Sequence, residues 1–371
     1  MRIGVPKETK NHEYRVGLTP ASVRELSAHG HEVLVESGAG EGIGMKDAQY
    51  LEAGAKISPD AAAVFGSAEM IVKVKEPQPF ECTMLRDGQV LFTYLHLAPD
   101  PMQTAALVRS GAVCIAYETI TGPDGGLPLL APMSEVAGRM SAQAVASNLE
   151  ISKGGMGVLL GGVPGVAAAH VVIIGAGVVG TNALQMVVGM GARVTVLDKS
   201  IERLRQLDLV FGNRIATRYS TQASLEEAVL DGDAVIGSVL VPGAAAPRLV
   251  TREMVSRMKR GSVMVDVAID QGGCFETSRA TTHAEPTFMV DGVVHYCVAN
   301  MPGAVARTST LALNNATLPH ALALADLGWR TALRADSHLR KGLNVCAGKV
   351  THEAVARELG YDYTAPEVAL A

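Results

Sequence analysis

Three glycines and one acid set the first chemical expectation. Gly175, Gly177 and Gly180 follow the apolar run His170-Val-Val-Ile-Ile174 in G-x-G-x-x-G spacing, and a second run, Val194-Thr-Val-Leu-Asp198, ends on a carboxylate 18 residues past Gly180. A strand, a glycine turn, a helix start and a second strand closing on an acid form a dinucleotide-binding fingerprint in its required context. Gly175 permits the tight turn. Gly177 lets the backbone approach a pyrophosphate, whose charge a helix N-terminus favours, and Gly180 lets helix and strand pack closely. Asp198 can bind both ribose hydroxyls, and its charge would repel a 2′-phosphate, which favours NAD over NADP. The alternative is a glycine-rich turn in an ordinary α/β domain.

A nucleotide site alone does not define a reaction, so the chemistry must come from polar residues near strand ends. Arg15 closes the charged stretch that begins at Glu8; its guanidinium could bind a substrate carboxylate bidentately, or it is a surface arginine. Lys75 ends an apolar strand just before Glu76 and Pro77 and could reach into a cleft, or be solvated. His96 follows a mostly apolar strand and is either packed or an acid/base group. Asp270 precedes Gln271, Gly272 and Gly273 at the carboxyl end of the run starting at Val263, where nicotinamide and substrate would meet. Asp266, in the same run, reads as structural.

The elements that must position these residues alternate. Among the first ~125 residues, runs at 3–5, 31–35, 70–74, 89–94 and 112–116 read as strands, and 20–28 and 101–110 as helices, an α/β domain by the usual pattern. A loop rich in glycine and proline follows at 122–128. A helix is expected from Pro132 to about Ser152, with Ser134 as N-cap. Strands near 171–174, 194–197, 233–237, 263–267 and 295–298 then form a doubly wound dinucleotide domain. Beyond Pro302 the pattern is helical, at 308–327 and 351–359. The expected fold is α/β, with two Rossmann-like domains and a ligand cleft between them: 1–128 with 306–371 for substrate and catalysis, and 129–305 for NAD. The C-terminal helices return to the first domain.

The 371 residues suffice for two or three such domains, and the net charge of −5 comes from interspersed signs. There is no basic stripe for nucleic acid and no polybasic membrane anchor. Residues 154–192 lack Asp, Glu, Lys and Arg, but glycines, Pro164 and His170 interrupt them, so a buried parallel strand and its helix are expected rather than a membrane span. The opening residues are strand-like and then charged, unlike a signal peptide. Five scattered cysteines without C-x-x-C spacing suit free thiols in a reducing, cytoplasmic setting.

At these residues the chain resembles the bacterial alanine dehydrogenases, in the family that includes the NAD-binding subunit of proton-translocating transhydrogenase. The resemblance runs the whole length, through Arg2-Ile-Gly-Val-Pro-Lys-Glu-Thr-Lys10, Lys73-Val-Lys-Glu-Pro77, Leu95-His-Leu97, Leu129-Leu-Ala-Pro-Met-Ser-Glu-Val-Ala-Gly-Arg139, Gly161-Gly-Val-Pro-Gly165, Asp266-Val-Ala-Ile-Asp-Gln-Gly-Gly-Cys-Phe-Glu276 and Tyr296-Cys-Val-Ala-Asn-Met-Pro302. It implies reversible oxidative deamination of L-alanine with NAD to pyruvate and ammonia, with glyoxylate as a further small substrate. It also implies a homohexamer. Arg15 and Lys75 would hold the substrate, while His96 and Asp270 would handle protons. Ser134 would contact the pyrophosphate, Val178 and Val179 would lie on the glycine turn, and Asp198 would take the ribose. Ser220, Val239 and Leu240 would line the adenosine side. Val267, Ala268, Ile269 and Asp270 would line the nicotinamide side, and Val298, Ala299, Asn300 and Met301 the cleft wall. Arg203, where many relatives have lysine, and Arg279 would be further contacts.

Some relatives carry a metal near the last helix. The matching positions here are Ala323 and Leu327, which cannot ligate, so no metal is expected there. Two competing readings remain: a transhydrogenase-type soluble NAD subunit working with membrane partners, and an NAD-sensing module without catalysis. Lys75, His96 and the block from Asp270 to Gly273 favour the dehydrogenase.

Overall fold

The computed structural model describes residues 1–239 and 246–371. It divides into two compact units, one of residues 1–133 and 305–371, the other of residues 134–304.

In the first unit β1 (Arg2–Val5), β2 (Glu32–Glu36), β3 (Lys56–Ser58), β4 (Met70–Val72), β5 (Val90–Thr93) and β6 (Val113–Ala116) are parallel, in the order β3-β2-β1-β4-β5-β6. The central strands β4, β5 and β6 are buried at every residue, as a sheet covered on both faces requires, whereas β2 alternates. The order reverses between β1 and β4. At such a switch point neighbouring connections leave on opposite faces and open a crevice at the strands' carboxyl ends.

The second unit repeats this plan. Here β7 (His170–Ile174), β8 (Arg193–Asp198), β9 (Ala216–Tyr219), β10 (Ala234–Gly237) and β11 (Val263–Asp266) are joined by the hairpin β12 (Thr287–Val290) and β13 (Val293–Tyr296). The order is β12-β13-β11-β10-β7-β8-β9, parallel except at β12, with the switch between β7 and β10. All five residues of β7 are buried.

The C-terminal segment belongs to the first unit, as expected of its helices. Asn314, on the helix Ala306–Leu327, receives bonds from the Thr19 N–H and Ser22 hydroxyl, both at 2.8 Å, and donates to the Gly17 carbonyl at 3.1 Å. The tail is not wholly helical, however. β14 (Leu343–Cys346) and β15 (Lys349–Val350) extend the sheet antiparallel from β6, and the last expected helix starts only at Glu353.

Three other expectations are corrected. The helix expected to reach Ser152 covers Ala131–Asn148, so Ser134 sits inside its first turn and is not its cap. The helix stops where the Asn148 side chain bonds back to the Ala144 carbonyl at 2.8 Å. The strand expected to 298 ends at Tyr296. β11 ends at Asp266, and Val267–Gln271 is a 3-10 turn. The buried Asp266 carboxylate causes that break, drawing in the N–H groups of Ala268, Cys274 and Phe275 and the Ser278 hydroxyl. No helix among the described residues is long and apolar enough to cross a membrane.

Candidate active site

In the second unit the glycine turn follows β7. Gly175 has φ +98°, and the Ser238 hydroxyl lies 2.9 Å from both the Ile174 and Gly175 carbonyls. A Cβ at Gly180 would stand 1.9 Å from the Gly175 carbonyl oxygen, so that position requires glycine for the turn to close on the helix. A Cβ at Gly177 would meet nothing within 4 Å. The space beside Gly177 is a cradle at the N-terminus of the helix Val178–Gly189, and it fits a dinucleotide's pyrophosphate. Val178 is exposed there, Val179 is partly buried, and Val239 packs against Gly175.

Asp198 ends β8 as expected. Its Oδ2 accepts the Ala176 N–H and its Oδ1 the Ser200 N–H, both at 2.7 Å. Arg203 donates from Nε to the Ala176 carbonyl at 2.7 Å and from Nη2 to the Thr181 hydroxyl at 2.6 Å. The acid and the arginine thus brace the turn from outside. The Ser220 N–H bonds to the Asp198 carbonyl at 2.9 Å. Leu240 lies outside the described residues. Asp270 is exposed on the 3-10 turn with Val267, Ala268 and the buried Ile269. The Ala299 N–H bonds to the Thr281 carbonyl, Asn300 adopts φ +62°, and Met301 joins the apolar core with Val298. Arg279 lies over the Phe288 ring, 4.2 Å from its centroid.

In the first unit the charged residues gather past β1, β4, β5 and β6. Arg15 is no surface arginine: it is buried, with Nε 2.7 Å from Glu13 Oε1 and Nη2 2.6 Å from Glu13 Oε2. Burial opposes its charge, and the Glu13 carboxylate outweighs that and holds the guanidinium ionised. Its Nη1 lies 3.0 Å from the Met133 sulfur. Lys75 is half-buried in the turn after β4. Its carbonyl accepts the Thr93 hydroxyl at 2.9 Å, and its N–H reaches Glu8 Oε1 at 3.3 Å.

The same Glu8 accepts the Val74 N–H at 2.6 Å and the Lys73 ammonium at 3.1 Å. One buried carboxylate therefore holds three consecutive residues. Lys73 also donates to Glu81 at 2.9 Å. Burial pulls its ammonium down, but the two acids outweigh this and raise it; burial pushes the Glu8 carboxyl up, since one cation serves two acids.

His96 is exposed rather than packed. Its backbone is left-handed at φ +49°, and its ring stacks on Tyr94 with centroids 5.7 Å apart and planes 9° from parallel. The Tyr94 hydroxyl donates to the Leu129 carbonyl at 2.5 Å, and burial pushes that phenol up. Arg15 interacts electrostatically with both Tyr94 and Glu8. The fold thus brings Arg15, Lys75 and His96 around one switch point and presents Asp270 and the glycine turn on the second sheet.

Glu8, Glu13, Tyr94 and Glu118 were not among the expected site residues. The acids were visible only as charges in or beside the motifs, with no sign that they would be inward-facing. All five cysteines are buried free thiols, and burial pushes those of Cys274 and Cys297 up to about 12, so neither suits nucleophilic work at neutral pH.

Comparison with known proteins places the chain in a family. The family model described as "Alanine dehydrogenase/PNT, N-terminal domain" matches residues 4–137, and its C-terminal counterpart matches residues 141–353. The alanine dehydrogenase of Halomonas elongata is 63% identical, with 98% of each chain covered. A solved L-alanine dehydrogenase superposes with a TM-score of 0.94 at 53% identity, over 97% of this chain and 99% of that one. A transhydrogenase structure from Sinorhizobium meliloti gives 0.81 at 26%, over 95% and 100%. With both family models matched in order and relatives of this identity along its full length, the chain belongs to the alanine dehydrogenase/PNT family.

Proposed function

We propose that this chain is an NAD-dependent L-alanine dehydrogenase, converting L-alanine, NAD and water to pyruvate, ammonia and NADH, reversibly. The observation that carries the reading is the gathering of Arg15, Lys75 and His96 at the first unit's switch point in a chain that also holds an intact dinucleotide turn. Near-full-length similarity to alanine dehydrogenases supports it over a transhydrogenase-type subunit or an NAD sensor. In this reading residues 1–128 and 306–371 bind substrate and residues 129–305 bind NAD. The working enzyme is a cytoplasmic homohexamer acting on small molecules, without nucleic-acid or membrane partners, and glyoxylate is a second keto substrate.

NAD supplies the hydride acceptor when bound. Ser134, the glycine turn with Val178 and Val179, Asp198, Arg203, Ser220, Val239 and Arg279 would hold its pyrophosphate and adenosine side. Residues 267–270 and 298–301 would line the nicotinamide side. Arg15 and Lys75 grip the alanine carboxylate and, in the reverse direction, the carboxylate and carbonyl oxygen of pyruvate, fixing Cα for transfer; orientation of this kind lowers a barrier by several kcal/mol, about 7–11 at most. His96 removes a proton from the ammonium, freeing the nitrogen lone pair that expels hydride from Cα. Water then adds to the resulting iminium carbon, and His96 and Asp270 relay the protons that release ammonia.

The test is direct. Purified protein with NAD at alkaline pH should form NADH with L-alanine and little with larger or D-amino acids. NAD binding without reduction by any amino acid would overturn the assignment. Within it, Asp270→Asn keeps NAD affinity, measured by titration, and loses most turnover; near-normal turnover would remove Asp270 from the proton relay. Gly177→Ala leaves the melting temperature unchanged, because the new methyl meets no protein atom. It weakens NAD by about tenfold or more, or about 1.4 kcal/mol, by filling the pyrophosphate's approach. Gly180→Ala instead destabilises the fold, and an equal effect of the two substitutions on melting would contradict this division.

A further inference from the structure

We propose that Glu118 is a positioning residue for His96, an inference that rests on the dehydrogenase reading above. Glu118 lies just past β6, the strand beside β5, in the 3-10 turn Tyr117–Thr119. Its Oε1 accepts the His96 N–H at 2.6 Å and the Leu95 N–H at 3.2 Å, and its Oε2 lies 3.3 Å from the Leu95 nitrogen. The same Oε1 stands 3.9 Å from His96 Nδ1. One carboxylate thus holds the backbone and faces one edge of the ring.

The backbone it holds is unusual. Histidine seldom takes a left-handed conformation, and such a residue persists where surrounding contacts over-determine it. Those contacts are present on both sides of His96. Gln103 donates to the Leu95 carbonyl at 2.8 Å, Thr104 donates to the Leu97 carbonyl at 3.0 Å, and Leu95 and Leu97 are buried. Between these anchors only the His96 side chain turns outward, 45% exposed, against 14% for Glu118. The stacked Tyr94 ring fixes the imidazole plane, and Glu118 fixes the backbone from which the ring projects.

Removing the carboxylate therefore misplaces the base without touching nucleotide or substrate contacts. A displacement near 1 Å can lower a rate by about 10². Glu118→Ala is expected to lower kcat by about 10- to 100-fold, the size of such a misplacement. KM for L-alanine and Kd for NAD should stay within about threefold, since a group outside the binding contacts alters the chemical step rather than uniform binding.

A double-mutant cycle with His96→Asn separates positioning from general loosening. If Glu118 acts through His96, adding Glu118→Ala to His96→Asn changes kcat by less than about twofold. Full multiplication of the two losses, or a Glu118→Ala enzyme with wild-type kcat, would overturn the proposal. Glu118→Gln, which keeps the volume and one acceptor, replaces alanine in the cycle if the latter fails to fold. Amide hydrogen exchange gives an arm independent of turnover: Leu95 and His96 should exchange faster in Glu118→Leu, which keeps the bulk and removes both acceptors, than in wild type, and equal rates would refute the clamp. A wild-type chain that does not oxidise L-alanine would instead refute the functional reading, with the exchange result still judging the clamp.

Discussion

Replacing His96 by asparagine is expected to lower turnover with L-alanine by about 10²–10⁴, the range a positioned general base supplies. NAD affinity should stay within about twofold, because the residues proposed to hold it lie in the other unit. Asparagine is the informative replacement because it tolerates the left-handed backbone that His96 occupies at φ +49°. It cannot take a proton near neutral pH, so the loss reports the imidazole rather than a rearranged loop. Alanine at this position would confuse the two effects, since its Cβ is strained there and its side chain forms no local hydrogen bond. Steady-state kinetics in both directions provide the test. If kcat falls less than tenfold while KM for pyruvate rises by orders of magnitude, His96 binds substrate and the base must be sought elsewhere.

The parts of this site legible in the sequence are those whose chemistry is enforced locally. Gly180 announces itself because no other residue fits 1.9 Å from a carbonyl, and Asp198 because it closes an apolar strand at a fixed distance from the turn. Lys75 and His96 stood out as polar residues ending apolar strands. What each of them rests on was hidden. Nothing in the sequence marks Glu8, Glu13 or Glu118 as inward-facing, yet Glu8 and Glu118 accept backbone N–H groups of turns far along the chain and Glu13 accepts the Arg15 N–H, and burial is a property of the assembled sheet. The same cause explains Asp270: its apolar run looked like strand continuing from Val263, until the folded Asp266 carboxylate gathered N–H groups from both sides of the turn. β3 and β14 escaped notice because three or four residues are too few for periodicity to show. Their pairing comes from the sheet they complete.

The second large effect is on stability. Lys73→Met is expected to cost about 3–5 kcal/mol, the usual penalty for breaking a buried ion pair from one side. Methionine replaces the lysine stem at similar volume, so packing is nearly conserved and the loss is electrostatic. Lys73, Glu8 and Glu81 have side chains at most 2% exposed, and the ammonium is shared by both carboxylates. Without it two acids lie buried, and each is also tied to backbone N–H groups, Glu8 to Val74 and Lys75, and Glu81 to Gln78. Neither can swing out to water without releasing the turn that carries Lys75.

The remaining escape is protonation. Burial already pushes the Glu8 carboxyl up, and loss of Lys73 removes the main opposing charge. A carboxyl whose folded pKa is raised contributes stability below its unfolded pKa and loses it as pH rises through the folded value. The deficit of Lys73→Met should therefore be smallest at acid pH and grow as pH rises. Trp329, the sole tryptophan, lies in the same unit and reports its unfolding by fluorescence in urea. A pH-independent deficit, or one below about 1 kcal/mol, the scale of exposed ion pairs, would mean the acids are hydrated and the network is not buried. Turnover should fall with stability even under conditions where the variant is fully folded, because the carboxylate that fixes the Lys75 turn is the one left without its cation.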